Sequence, residues 1–178
     1  MKYLNYFIPN ENKLFKTIII ALYIVIFILI LFINSIFIAI VDGSSMENTI
    51  HDNDILIINK KAYSLSSPQR YDIVNIYAKD KYDNFLVKRI IGLPGDTLEI
   101  NNSSIYLNGT LLHEDYIKEN MQIPYYIKIN IPKNKYFVMG DNRNVSLDSR
   151  YFGLIKESDI QGKALLKFCS KTKKLSLF

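Results

Sequence analysis

The chain has 178 residues, of which 22 are Lys or Arg and 17 are Asp or Glu, giving a net charge of +5 at pH 7. One cysteine, Cys169, excludes an intrachain disulfide and a CxxC metal site. The chain has only two histidines, His51 and His113, which argues against a histidine-rich zinc site and against a Ser-His-Asp triad. We therefore expect no metal and no cofactor, and any catalytic base is sought among the lysines.

Apolar residues dominate the N-terminal part of the chain. Residues 18–33 are uninterrupted apolar, and after Asn34 and Ser35 the run resumes as far as Val41. As a helix this stretch is ~36 Å long, enough to cross a hydrocarbon core of ~30 Å with some tilt. The absence of a small-x-small cleavage pattern favours a retained anchor over a cleaved signal peptide. We predict a transmembrane helix over residues 17–41.

The charges on either side of this segment predict its orientation. Lys2, Lys13 and Lys16 precede it against Glu11, and acidic residues follow it, namely Asp42, Glu47, Asp52 and Asp54. By the positive-inside rule, residues 1–16 are expected in the cytoplasm and residues 42–178 outside the cell membrane.

Lysines are dense towards the C-terminus, at Lys163, Lys167, Lys171, Lys173 and Lys174. We interpret them as a solvated surface, attracted to anionic headgroups of the lipid bilayer. Because no basic-aromatic motif accompanies them, we expect no nucleic-acid partner. The oligomeric state is left open.

The part after the anchor is predicted to be β-rich. Short apolar runs bounded by turn-forming residues predict strands, namely 54–59, 71–77, 85–91, 97–100, 104–107, 136–139 and 162–168. The fourth and fifth runs flank a polar turn and predict a hairpin, and Asn108-Gly109 predicts a tight turn after it. Residues 111–135 are predicted as a loop-rich insertion. These features indicate one mainly antiparallel β domain, barrel-like or sandwich-like.

A candidate nucleophile lies four residues past the apolar segment, in Gly43-Ser44-Ser45-Met46. A glycine before a serine in a turn can expose the hydroxyl and present backbone N–H groups to an oxyanion. A serine becomes a nucleophile only with a base beside it. The motif alone is also compatible with a simple loop leaving the membrane.

Lys88 is the candidate base. Strand alternation places Lys88 on the face of Leu86 and Ile90, and Arg89 on the opposite face, so one of these adjacent cations is expected in the interior. Burial lowers a lysine pKa, and a fall from ~10.4 to near 8 costs roughly 3 kcal/mol. Such a neutral amine could take the proton of Ser45, as in Ser-Lys variants of the catalytic triad.

A third segment, residues 140–153, is rich in small polar and charged residues between apolar strands. Charge pairs between Asp141 or Asp148 and Arg143 or Arg150 would make this loop rigid. A rigid loop could hold Ser146 beside a catalytic amine.

These three segments, in this order behind an anchor, resemble type I signal peptidases, the membrane-anchored serine proteases that remove signal peptides from exported proteins. The resemblance covers the anchor and the outer domain, and implies a largely antiparallel signal-peptidase-like β domain. It implies Ser45 as nucleophile and Lys88 as general base. Its partners would be exported preproteins, bound as an extended strand with pockets for a small-x-small cleavage site.

The resemblance also implies supporting roles for the distal loop. Ser146 would orient the lysine amine, and Asp148 and Arg150 would brace the loop through a charge pair. Asp141 and Arg143 would do similar structural work.

Three roles near the nucleophile follow in the same way. The N–H of Ser45 would supply part of the oxyanion hole, with the Ser44 hydroxyl as candidate second donor. Met46 would help line the substrate cleft.

Two positions depart from the usual pattern, which has proline at Asn48 and glycine at Tyr71. Loss of the proline is expected to relax the chain after the nucleophile by ~0.4–1 kcal/mol through the unfolded state. Both departures leave open a relative specialised for pilin-like surface subunits, or a non-catalytic relative that binds or positions them.

Overall fold

The computed structural model describes residues 12–78, 84–101, 103–122 and 126–178. The chain divides into two units, Met1–Ile36 and Phe37–Phe178. The first contains helix α1 (Asn12–Asn34), apolar all round and exposed at almost every position. Within the described ranges it is the one helix long and apolar enough to cross a membrane, with a mean hydropathy of 3.0 over Leu14–Asn34.

Helix α1 ends where two polar side chains bond its last carbonyls. Asn34 Nδ2 donates to the Ile30 carbonyl at 2.9 Å, and Ser35 Oγ donates to the Leu31 carbonyl at 2.7 Å. Strand β1 (Ile36–Ile40) follows immediately. The prediction that the helix continues to residue 41 is therefore wrong, because alternate residues of this apolar stretch pack on the core of the second unit.

The second unit is built mainly from strands. After β1 come β2 (Ile55–Asn59), β3 (Ile73–Tyr77), β4 (Phe85–Gly92), β5 (Thr97–Asn101), β6 (Ser104–Leu107), β7 (Thr110–Leu111), β8 (Ile127–Asn130), β9 (Lys135–Met139), β10 (Ile155–Lys156), β11 (Ile160–Phe168) and β12 (Leu175–Leu177). Helix α2 (Ser149–Phe152) and a 3₁₀ turn (Glu157–Asp159) flank β10.

The strands form two sheets. The eight-stranded sheet has the order β1-β2-β11-β3-β4-β9-β10, with β12 also pairing β11, and the four-stranded sheet has the order β7-β6-β5-β8. Each pair with a defined register is antiparallel. The predicted fold class, mainly antiparallel β after one apolar helix, is confirmed.

All seven predicted strands are present. The predicted hairpin is β5–β6, with Leu98 opposite Leu107 and Ile100 opposite Ile105. The predicted tight turn joins β6 to β7, with positive φ at Asn108 (53°) and at the glycine after it (82°). Residues 111–135, predicted as a loop-rich insertion, also contain the short strand β8. Strands β1, β7, β10 and β12 were not predicted.

One apolar cluster lies directly beneath the serine segment. It contains Val41, Met46, Ile50, Leu56, Ile58, Ile73 and Ala164, with Phe37 and Ala39 of β1 packed against it. Two further clusters fill the space beside the smaller sheet and beside β9. The chain that carries Ser45 is therefore fixed from below by burial of its own apolar residues.

Candidate active site

Ser45 lies in a short turn with fixed ends. Gly43 has φ of 99°, a conformation that favours glycine, and its N–H donates to Asp52 Oδ1 at 2.8 Å. Met46 is 2% exposed and Ile50 is fully buried. The Ile50 N–H donates to the Met46 carbonyl at 2.8 Å, which closes the turn over the core. The half-buried side chain of Ser45 is thus presented from a rigid support.

Lys88, on β4, meets this serine. Its Nζ lies 2.7 Å from Ser45 Oγ and 3.0 Å from the Val87 carbonyl, and the side chain is 2% exposed. Burial lowers the pKa of Lys88 to about 8; the carboxylates of Asp148 and Asp141 oppose this shift. An amine with this pKa is substantially neutral under mildly basic conditions and can accept the hydroxyl proton.

Arg89 is also buried, at 8% exposure, whereas the sequence predicted only one of the two adjacent cations inside. Its guanidinium bonds Asp141 through Nε at 2.9 Å and Nη2 at 2.6 Å. Thr49 Oγ1 donates to the same carboxylate. Both faces of β4 are therefore covered, and Arg89 is buried as part of an ion pair.

The distal loop, residues 140–153, is hydrogen-bonded to the backbone carbonyls of the serine segment. Asn142 N–H donates to the Ser45 carbonyl at 3.1 Å, and Asn142 Nδ2 donates to the Ser44 carbonyl at 3.0 Å. A Cβ at Gly140 would lie 2.3 Å from the Ser45 carbonyl oxygen and 2.3 Å from Ser146 Oγ. Only glycine permits this close approach.

The predicted charge pair of Asp148 and Arg150 is present and buried, with Oδ2 2.7 Å from Nη2 and side-chain exposures of 0% and 1%. The Asp148 carboxylate also accepts the Gly140 N–H at 3.0 Å. It therefore ties the loop to the end of β9. Arg143 instead pairs with Glu114, at 2.7 and 2.5 Å, and Asp141 pairs with Arg89.

Ser146 is buried, at 3% exposure, and its Oγ has no hydrogen-bond partner among the described residues. The expected bond from Ser146 to the amine of Lys88 is therefore not formed in this structure. Met46 faces the core, where the sequence predicted a cleft-lining side chain. The carbonyl of Ser44 accepts hydrogen bonds, while the proposed use of its hydroxyl stays a prediction.

Several residues around the site escaped the sequence reasoning: Thr49, Arg89, Glu114, Tyr116 and Asn142. Arg89 and Asn142 lie within motifs already singled out, so their polarity was a usable signal. Glu114 and Tyr116 come from the segment predicted as an insertion, where nothing in the sequence marks them. In the ranges the structure describes, no group of three or more His, Cys, Asp or Glu side chains could hold a metal ion.

An antiparallel β unit in which a buried lysine contacts a turn serine, preceded by an apolar helix, has the make-up of a membrane-anchored serine hydrolase. The chain belongs to the signal peptidase family, peptidase S26, whose sequence pattern matches residues 12–169.

Individual relatives agree with this assignment. A "Probable signal peptidase I-2" of Synechocystis sp. is 40% identical over 134 residues, covering 72% of this chain and 61% of the relative. "Signal peptidase I U" of Bacillus subtilis (strain 168) is 36% identical over 170 residues, covering 89% and 90%. Among solved structures, a signal peptidase I from Enterococcus faecalis V583 is 35% identical, covers 55% of this chain and 97% of that one, and has a TM-score of 0.48.

Proposed function

We propose that this chain is a signal peptidase I, a serine endopeptidase that removes N-terminal signal peptides from exported preproteins, with Ser45 as nucleophile and Lys88 as general base. The observation that carries the proposal is the 2.7 Å contact between Lys88 Nζ and Ser45 Oγ, made by a lysine that is almost fully buried. Family membership supports the reaction class, and the contact supports the choice of Ser45 and Lys88 as the catalytic pair.

In the proposed acylation step, neutral Lys88 accepts the proton of the Ser45 hydroxyl while Oγ attacks the scissile carbonyl carbon. The tetrahedral intermediate carries an oxyanion. Its collapse breaks the C–N bond, and the lysine ammonium returns the proton to the leaving amine of the mature protein. The signal peptide remains bound to Ser45 as an ester.

In the proposed deacylation step, Lys88 accepts a proton from water, and the hydroxide attacks the ester carbonyl. As the second tetrahedral intermediate collapses, the bond from the carbonyl carbon to Ser45 Oγ breaks and the lysine ammonium returns its proton to Oγ. This restores the serine hydroxyl and releases the signal peptide with a free carboxyl group, which ionises in solvent. The Ser45 N–H donates no hydrogen bond to any described residue, which supports its use as an oxyanion donor. The Ser44 hydroxyl remains the candidate second donor.

The membrane placement is part of the proposal. Helix α1 would span the cell membrane once, with residues 1–16 in the cytoplasm and the β unit outside, because Lys2, Lys13 and Lys16 lie before or in the first turns of the helix and acidic residues follow it. The exposed apolar residues of the C-terminal strand support a bilayer-facing edge, with exposures of 60% at Leu175, 80% at Leu177 and 42% at Phe178. Such a position suits a substrate whose apolar segment remains in the bilayer.

Cleavage of a preprotein by the full chain in detergent tests the proposal. We expect Ser45→Ala and Lys88→Met each to abolish processing. Matched substitutions at exposed positions, Ser66→Ala and Lys128→Met, should leave processing unchanged. Turnover by Ser45→Ala at the wild-type rate would overturn the assignment. Binding of preprotein by the wild type without any cleavage would favour a non-catalytic, subunit-positioning role instead.

A further inference from the structure

Residues 114–122, here called the strap, follow β7 and run past the serine turn. Asn48 Nδ2 donates to the Tyr116 carbonyl at 3.0 Å and to the Ile117 carbonyl at 3.3 Å. Lys118 Nζ lies 2.6 Å from a carboxylate oxygen of Glu47. The two residues that follow Met46 are therefore both bonded to the strap.

The same strap is bonded to the distal loop. Lys118 N–H donates to the Asp141 carbonyl at 3.1 Å. Asn144 binds the far end of the strap twice, accepting from the Gln122 N–H at 2.8 Å and donating to the Asn120 carbonyl at 3.1 Å. Near its start, Glu114 forms the buried pair with Arg143. The strap thus bridges the turn that carries Ser45 and the distal loop, residues 140–153.

The bond from Asn48 depends on an uncommon backbone conformation. Asn48 has φ of 87°, so a proline, whose φ is fixed near −65°, could not replace it without rebuilding the turn. This finding corrects the interpretation that loss of a proline merely relaxes the chain. Tyr71, the second departure, has φ of 72° and packs its ring edge-on against Tyr116, with centroids 5.9 Å apart. Arg89 covers the Tyr116 ring at 4.1 Å.

We propose that the strap sets the position of Ser45 relative to Lys88, with Asn48 and Asn144 as the positioning residues at its two attachments. Direct hydrogen bonds between the turn and the distal loop are made by Asn142, which donates to the Ser44 and Ser45 carbonyls, and by Thr49, which donates to Asp141. The strap adds side-chain bonds to both segments. The proposal rests on the proposed function, since its effect is on the Ser45–Lys88 reaction. A displacement of Ser45 by about 1 Å from Lys88 would lower the rate of the chemical step more than it would weaken substrate binding.

Asn48→Gly is the sharpest variant, because glycine accepts the positive φ while removing both amide bonds. Asn134→Gly is its matched control: Asn134 is exposed, has φ of 59° and lies outside the site. For the full chain in detergent we expect Asn48→Gly to lower kcat about tenfold with KM within about twofold. Asn134→Gly should keep kcat within about twofold of the wild type, while losing about as much thermal stability as Asn48→Gly.

A double-mutant cycle separates positioning from local damage. Asn144→Ala removes the other attachment, and we expect it to lower kcat severalfold. If the strap acts as one unit, adding it to Asn48→Gly lowers kcat little further, whereas independent effects multiply. Equal kcat values for Asn48→Gly and Asn134→Gly, or multiplicative effects of Asn48→Gly and Asn144→Ala, would overturn the proposal. Activity in Ser45→Ala, measured alongside, would instead overturn the proposed function.

Discussion

Replacing Lys88 with methionine should stabilise the protein in a pH-dependent way. Lys88 is 2% exposed, and its pKa is lowered from 10.5 to about 8 by burial. Below pH 8 both the folded and the unfolded chain carry the protonated amine, and the folded state bears the full cost of burying it. Methionine fills similar space without a charge.

The sign and size of the effect follow from proton linkage. Between about pH 8 and pH 10.5 the unfolded chain still binds the proton that the folded chain has released. The free energy of unfolding of the wild type therefore rises with pH across this window. A difference of 2.5 pKa units corresponds to about 3 kcal/mol at 1.36 kcal/mol per unit. Above pH 10.5 both states are neutral and the penalty is gone.

Denaturant unfolding of wild type and Lys88→Met, from pH 7 to pH 11 in the same detergent, measures this difference. We expect the advantage of the methionine variant to be constant up to about pH 8 and then to shrink by about 3 kcal/mol. Lys128→Met, at an exposed position, should show no such change. A stability difference between wild type and Lys88→Met that is independent of pH would refute a depressed lysine pKa.

Three further outcomes are expected. The rate of preprotein cleavage at low substrate should rise about tenfold from pH 7 to pH 9 and level off above, because the neutral fraction of Lys88 rises from about 9% to about 91%; a flat rate contradicts this. Asp148→Asn should lower the free energy of unfolding by about 3–5 kcal/mol by leaving Arg150 buried and unpaired, and should move the pH midpoint of activity downward, which kinetics and denaturation measure together. Gly140→Ala should reduce kcat more than tenfold through its clash with the Ser45 carbonyl, while a wild-type kcat would show that the loop yields.

The sequence was sufficient for the class of fold. The expected proximity of Ser45 and Lys88 agrees with their 2.7 Å contact, while their catalytic roles stay a prediction. The strands and the hairpin turn could be predicted because alternation along a strand and turn-forming residues depend on neighbouring positions in the sequence. Short turns between antiparallel strands keep such neighbours together in the fold. The Asp148–Arg150 pair is present as the family resemblance implied, whereas the residues alone left open which carboxylate would pair with which guanidinium.

Contacts between distant segments were beyond such reasoning. Asp141 was expected to pair within its own loop, yet it binds Arg89 across the sheet, and Arg143 binds Glu114. Sequence distance alone does not say which of several nearby cations a carboxylate will meet. The end of helix α1 was missed because isoleucine-rich residues suit both a lipid-facing helix and a strand, and only packing in the second unit decides.

Strand β1 also bears on how a soluble form of the outer unit should be made. Cutting the chain where the apolar run ends, at residue 41, would remove β1 together with Phe37 and Ala39, which cover the cluster under the serine turn. It would also turn β2 into an unprotected edge, which invites pairing between molecules. A truncation that begins at Ile36 keeps β2 paired with β1 and keeps the cluster covered, so it should aggregate less than the shorter form.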